Sequence, residues 1–128
     1  MKNTTFVGNI GEDIAVNLLK KKGYRILERN VKICGTEIDI ICEAKDKCRT
    51  IVFCEVKTRY DSAYGSAAEA VTPYKIGRYV RAAKAYLARL ANVNKNLRFD
   101  VIEVGESGIN HIENAFDEGD AKYPRKRF

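Results

Sequence analysis

Four charged residues interrupt apolar stretches in a pattern that suits metal-assisted hydrolysis of a phosphate ester. Asp39 breaks the run Ile38, Ile40, Ile41, and Glu55 and Lys57 break a run of Val, Phe and Cys. Glu12 stands in line with Ala15, Val16 and Leu19 on an amphipathic segment. A charge in such a place is costly unless it is paired or binds a metal. Two neighbouring carboxylates repel, and a hard divalent ion relieves the repulsion. Mg2+ (or Mn2+) takes oxygen ligands and completes its shell with water and phosphate. A lysine beside that ion stabilises charge on a phosphate and orients or deprotonates a water. Asp39, Glu55 and Lys57 are therefore candidate catalytic residues, with Glu12 in support. Asp39, Glu55 and Glu12 are the candidate metal ligands, and the carbonyl of Val56 is a further donor. The bland alternative is a buried ion-pair network, since an isolated Glu-x-Lys is common.

Strands must bring these residues together. Residues 37–42 and 50–58 are β-branched and partly alternating, and the polar stretch 44–49 joins them as a hairpin. Glu55 and Lys57, two apart, share one strand face. A register that pairs 39 with 55 also pairs 37 with 57 and 43 with 51, and it puts Glu37 on the same side as a supporting charge. Directly opposed Cβ atoms lie ~4.5–5.5 Å apart. A slip of one residue would send Asp39 to the other face.

The other elements follow from periodicity. Residues 9–22 predict a helix with Ile14, Ala15, Val16, Leu18 and Leu19 on one arc, ended by Gly23. Residues 24–31 predict a strand. Residues 60–69 predict a loop or flap, in which Tyr60 and Tyr64 are positioned to stack on a base or to pack the flap. Thr72 as N-cap and Pro73 at the first position open a long helix to about Leu90. Its core stripe is Ile76, Tyr79, Val80, Ala83, Leu87 and Leu90. Residues 97–104 and 109–116 predict two more strands around a turn at 105–108, with His111 in a structural role. The order α-β-β-β-α-β-β predicts an α/β or α+β sandwich with a mixed sheet.

With 128 residues, 45% of them hydrophobic and 31% charged, the chain has globular composition. Its apolar runs fall far short of the ~20 residues of a membrane span, and the N-terminus lacks an apolar signal core, so a cytoplasmic location and no membrane partner are expected. Residues 1–121 form the expected single domain and 122–128 a basic tail. Cys34, Cys42, Cys48 and Cys54 lack the close pairing of a zinc site and are expected to be reduced. The net charge of +6 is segregated. Residues 57–98 carry nine Lys or Arg against two acids, residues 99–121 carry seven acids and no Lys or Arg, and residues 122–128 add four bases. A nucleic acid is the expected partner of such a basic face. Thr58 and Arg59, after the catalytic strand, and Lys75, Arg78 and Arg81, on the second helix, are candidate nucleic-acid contacts.

The segments GNIGEDIAVNLLKKKGYRILERN, GTEIDII, FCEVKTR, AVTPYKIGR and RFDVIEV resemble the YraN family of small bacterial proteins, over residues 8 to about 116. By resemblance that family belongs to the PD-(D/E)XK nuclease superfamily, near the archaeal Holliday-junction resolvases. The resemblance implies a restriction-endonuclease-like fold, a mixed β-sheet flanked by helices. It places the superfamily's Asp on Asp39, its Glu-x-Lys on Glu55 and Lys57, the helix-one Glu on Glu12, and a polar residue of the second core helix on Lys75. It also implies a homodimer acting on branched DNA. Thr36 stands where the family usually has a second Gly, Cys54 where it usually has an apolar residue, and the basic tail is no family hallmark. The reading is an Mg2+-dependent endonuclease acting on DNA, junction-like DNA included. The alternatives are a non-catalytic nucleic-acid-binding module on the same fold and a subunit that meets a basic partner through its acidic segment.

Overall fold

The structure, a computed structural model, describes residues 6–59, 71–90 and 96–123, with the backbone alone at 6–9 and 59. The expected flap, with Tyr60 and Tyr64, and the tail beyond Tyr123 lie outside these residues. Helix α1 spans Phe6–Lys21. It ends where Gly23 takes φ +89°, with the Gly23 N–H on the Lys20 carbonyl and the Tyr24 N–H on the Leu19 carbonyl. This paired cap needs a left-handed residue, which glycine supplies without strain. Strands β1 (Arg25–Ile33), β2 (Thr36–Glu43) and β3 (Ile51–Arg59) follow. Helix α2 spans Pro73–Arg89, and the Thr72 hydroxyl caps it by accepting the Lys75 N–H. Strands β4 (Leu97–Gly105) and β5 (Gly108–Phe116) complete the set.

The strands form one five-stranded sheet in the order β1-β2-β3-β4-β5. β3 and β4 are parallel, and every other neighbour is antiparallel. A parallel pair needs a long crossover, and α2 lies within it. The result is the expected α-β-β-β-α-β-β order, a mixed sheet with a helix on each face. Among the described residues no helix is long and apolar enough to cross a membrane.

Alternation along β3 divides the core. Ile51 and Phe53 pack on the α2 side with Ile76, Tyr79, Val80, Phe99 and Phe116. Val52 and Cys54 pack on the α1 side with Ala15, Leu19, Ile40 and Ile102. Cys42 and Cys54 are buried, Cys34 and Cys48 exposed, and all four are free thiols.

β2 breaks the alternation. Ile38 packs into the α2-side core and Ile40 into the α1-side core, although they are two residues apart. In the facing strand Val31 pairs with Ile38 and Arg29 with Ile40, and Asn30 between them has φ +50°. Both strands turn over at this point, and Asp39 sits at the turnover. Such irregularities re-aim a side chain out of the regular pleat.

A buried charge network holds the α1 side together. Asp100 is 0% exposed. It accepts bonds from Arg98 Nε (2.8 Å) and Nη2 (2.9 Å), His111 Nε2 (2.7 Å) and the Asn114 N–H (3.0 Å). Arg98 also donates to the Tyr24 hydroxyl at 2.6 Å, and Lys22 Nζ lies 2.8 Å from His111 Nδ1. Burial pushes the Asp100 carboxyl up, but His111, Arg98 and Asn114 outweigh it and hold it below the usual carboxylate range. His111 thus ties β5 to β4 and to the connection between α1 and β1.

Candidate active site

The β2–β3 ladder contains the pairs Glu43↔Ile51, Cys42↔Val52, Ile41↔Phe53 and Ile40↔Cys54. Beyond Ile40↔Cys54 the regular pairing stops. There the carboxylate of Asp39 replaces a backbone carbonyl as partner: its Oδ2 accepts the Val56 N–H at 2.9 Å. Asp39 is thereby anchored to the backbone beside Glu55, although only 5% of it is exposed. The β1–β2 connection closes in two residues, Cys34 (φ +51°) and Gly35 (φ +75°), while Ile33 pairs with Thr36. Two successive left-handed residues are what a tight hairpin turn demands. Thr36 therefore starts the strand and needs no glycine.

Glu55 lies on the α2 side of β3, and three donors converge on its carboxylate. Lys57 Nζ is 3.0 Å and Lys75 Nζ 3.4 Å from Oε1. The hydroxyl of Tyr79 donates to Oε2. Burial pushes the Glu55 carboxyl up, but the Tyr79 hydroxyl and the two ammonium groups outweigh it and hold it below the usual range. Tyr79 moves the opposite way: burial, and then the Glu55 charge, push its phenol well above the ordinary tyrosine value. At neutral pH the pair is thus a carboxylate and a neutral hydroxyl.

A cleft of about 240 Å³ opens on this side, lined by Glu37, Asp39, Glu55, Lys75, Arg78 and Tyr79 with the turn residues Gly35 and Thr36. Strands β2 and β3 supply its acids. The first two turns of α2 supply its bases, where the helix dipole is positive.

Of the candidate residues, the structure brings Asp39, Glu55, Lys57 and Lys75 together, with Glu37 on the same wall. Arg78 lines the cleft and is exposed; Arg81 is exposed one turn further along α2. Glu12 is 5% exposed on α1 and is not among the residues lining the cleft. Thr58 faces α1, where its hydroxyl lies so close to Gly11 that a Cβ there would collide with it. It belongs to the helix–sheet contact, not to the cleft. The side chain of Arg59 lies outside the described residues. Among those residues no group of three or more His, Cys, Asp or Glu is placed to hold one metal ion.

Tyr79 is the residue that periodicity hides. It belongs to the core stripe, and its ring does stack on Phe116 at 5.9 Å. Two signals mark it nonetheless. A buried tyrosine hydroxyl needs a partner, and Tyr79 stands four residues after Lys75, on the same helix face.

Residues 11–104 match the family described as "Uncharacterised protein family UPF0102". A UPF0102 protein of Syntrophomonas wolfei is 46% identical over 114 residues, which cover 86% of this chain and 96% of that one. One of Alkaliphilus oremlandii is 48% identical over 116 residues, covering 86% and 97%. Among solved structures, that of Pyrococcus furiosus SfsA in complex with Ca2+ is similar at a TM-score of 0.32 and 16% identity, covering 81% of this chain and 60% of that one.

Proposed function

The chain belongs to the UPF0102 family, and we propose that its α2-side cleft is the active site of an Mg2+- or Mn2+-dependent endonuclease acting on DNA, branched DNA included. The observation that carries this reading is the meeting of Asp39 and Glu55, from adjacent strands, with Lys57 and Lys75 around the same carboxylate.

The donor set fits a hard cation. Both groups are carboxylates, and Glu55 is held in its charged form by its neighbours. A carboxylate has about four lone-pair positions, so the bonds from Lys57, Lys75 and Tyr79 leave Glu55 capacity for an ion. Asp39 and Glu55 would hold the ion, and Mg2+ commonly fills its remaining positions with water and phosphate oxygens. When bound, it supplies Lewis-acid polarisation of the phosphoryl group.

The chain's own residues do the rest. Lys57 places a positive charge beside Glu55, where the phosphate gains negative charge in the transition state. Lys75 and Arg78 hold the scissile and flanking phosphates as charge-assisted donors. Tyr79 fixes the rotamer of Glu55 and is a positioning residue. A homodimer would offer two such clefts to a branched DNA.

One observation favours a second reading. Glu55 already receives three donors, so the cluster also suits a non-catalytic module that binds nucleic acid. A panel of labelled duplex, single strand, flap and four-way junction, incubated with Mg2+, Mn2+ or EDTA, decides between them. The proposal predicts cutting with either metal and none in EDTA, and the preferred DNA names the substrate. Binding without cutting in every metal would establish the second reading.

A further inference from the structure

Beside the cleft lies a larger groove of about 410 Å³, lined by Cys34, Tyr74, Arg78, Arg81, Lys122 and Tyr123. Gly35, Thr36 and Arg78 border both cavities, so the two adjoin. Their charge differs. The cleft carries three acids, whereas every charged residue of the groove is a base. Two exposed aromatic residues line it. Tyr74, on the first turn of α2, is 51% exposed, and Tyr123, on the C-terminal segment, is 48% exposed.

The C-terminal segment is fixed on α2. The Lys122 N–H donates to the Pro73 carbonyl at 2.9 Å. The segment lies so close to α2 that a Cβ on Gly77 would stand 2.6 Å from the Lys122 carbonyl oxygen. Arg81 lies over the Tyr123 ring at 5.6 Å, which holds both at the groove. After Tyr123 the chain continues as PRKRF, with three more bases.

We propose that this groove is a subsite for unpaired nucleotides of a DNA strand whose scissile phosphate lies in the cleft. Arginines beside exposed aromatic rings suit a single strand: the guanidinium groups take the phosphates and the rings take bases by stacking. A paired base has both faces covered by its neighbours and gains nothing from Tyr74. The volume lies within the range of small-ligand pockets, ~300–1,000 Å³, and so admits a nucleotide rather than a duplex. The subsite rests on the endonuclease reading and gives it a substrate class: DNA with a single-stranded portion at the cut.

Cys34 and Cys48 provide a test that needs no turnover. Both are exposed, but only Cys34 lines the groove. The full chain, in EDTA, is treated with a maleimide alone, with dT12, or with a twelve-base-pair duplex, and modification is followed at each cysteine by peptide mass spectrometry. The subsite predicts that dT12 slows labelling of Cys34 and leaves Cys48 unchanged, with the duplex much weaker. It predicts that Tyr74→Ala weakens the apparent affinity for dT12 by about five-fold or more, the loss expected for a stacked base. Tyr74→Phe, which keeps the ring, retains it. Equal protection by duplex, or indifference to Tyr74→Ala, would overturn the subsite in favour of simple phosphate contact. No protection of Cys34, with metal-dependent cutting in the panel, would overturn it and leave the nuclease standing. Protection with no cutting of any DNA would sink the nuclease and leave the groove a single-strand binding site.

Discussion

Glu55 and Tyr79 divide one proton between them, and their surroundings fix the division. The carboxylate is charged because two ammonium groups and a phenol favour that form. A folded-state value below the unfolded one, ~4.3 for Glu, makes this a stabilising contact above that pH, lost as pH falls through the folded value. Tyr79→Phe keeps the ring against Phe116 and removes only the hydroxyl. We expect it to cost about 1.5–3 kcal/mol at pH 7, the range for a bond to a charged group. Urea unfolding at pH 7 and pH 3.5 should show the cost shrinking in acid; equal costs would contradict the assignment. Asp39, Glu55 and Lys57 were legible as residues because charges in apolar runs need a reason. Tyr79 was not, because a tyrosine in a core stripe satisfies the pattern without its hydroxyl. Asp100 was hidden for a related cause: on β4 it alternates as a surface acid would, and its partners Arg98 and His111 become visible only with the sheet.

At the scale of elements, close backbone approach decides where the pieces sit. α2 carries Lys75, Arg78 and Tyr79 into the cleft, and Gly77 on the same helix lets the C-terminal segment pass over it. Replacing an interior helical glycine by alanine should gain ~1 kcal/mol from propensity alone. At Gly77 the added Cβ would meet the Lys122 carbonyl at 2.6 Å. A backbone group cannot turn aside as a side-chain tip does, and overpacking of this kind costs ~1–3 kcal/mol. Gly77→Ala is therefore expected to lower the unfolding midpoint instead of raising it; a more stable variant would contradict the docked segment. Element order and most boundaries were readable, since helix period, caps and β-branched runs agree with one another. The hairpin register was readable at 43↔51, but the ladder ends at Ile40↔Cys54, short of the expected pairs 39↔55 and 37↔57. What could not be read was the turnover of β2 between Ile38 and Ile40. It depends on Asn30 in the neighbouring strand, and no local pattern in β2 reports it. The docking of Lys122 and Tyr123 was equally hidden, since a basic terminal run reads as a solvated tail.

Across the whole molecule, basic side chains gather beside the proposed active site. Lys75, Arg78, Arg81 and Lys122 line the cleft and the groove, whereas the acids of 99–121 line neither; one of them, Glu118, pairs with Lys84 on α2. Binding of the proposed DNA substrate there is expected to weaken steeply with salt. The most direct test of the account compares wild type, Asp39→Asn and Lys57→Ala on the DNA that the wild type prefers, with Mg2+, after binding has been matched in EDTA. The account predicts that both variants bind within a few-fold of wild type and cut at least ~100-fold more slowly, the loss expected when one transition-state contact is removed. Undiminished cutting by either variant would contradict it.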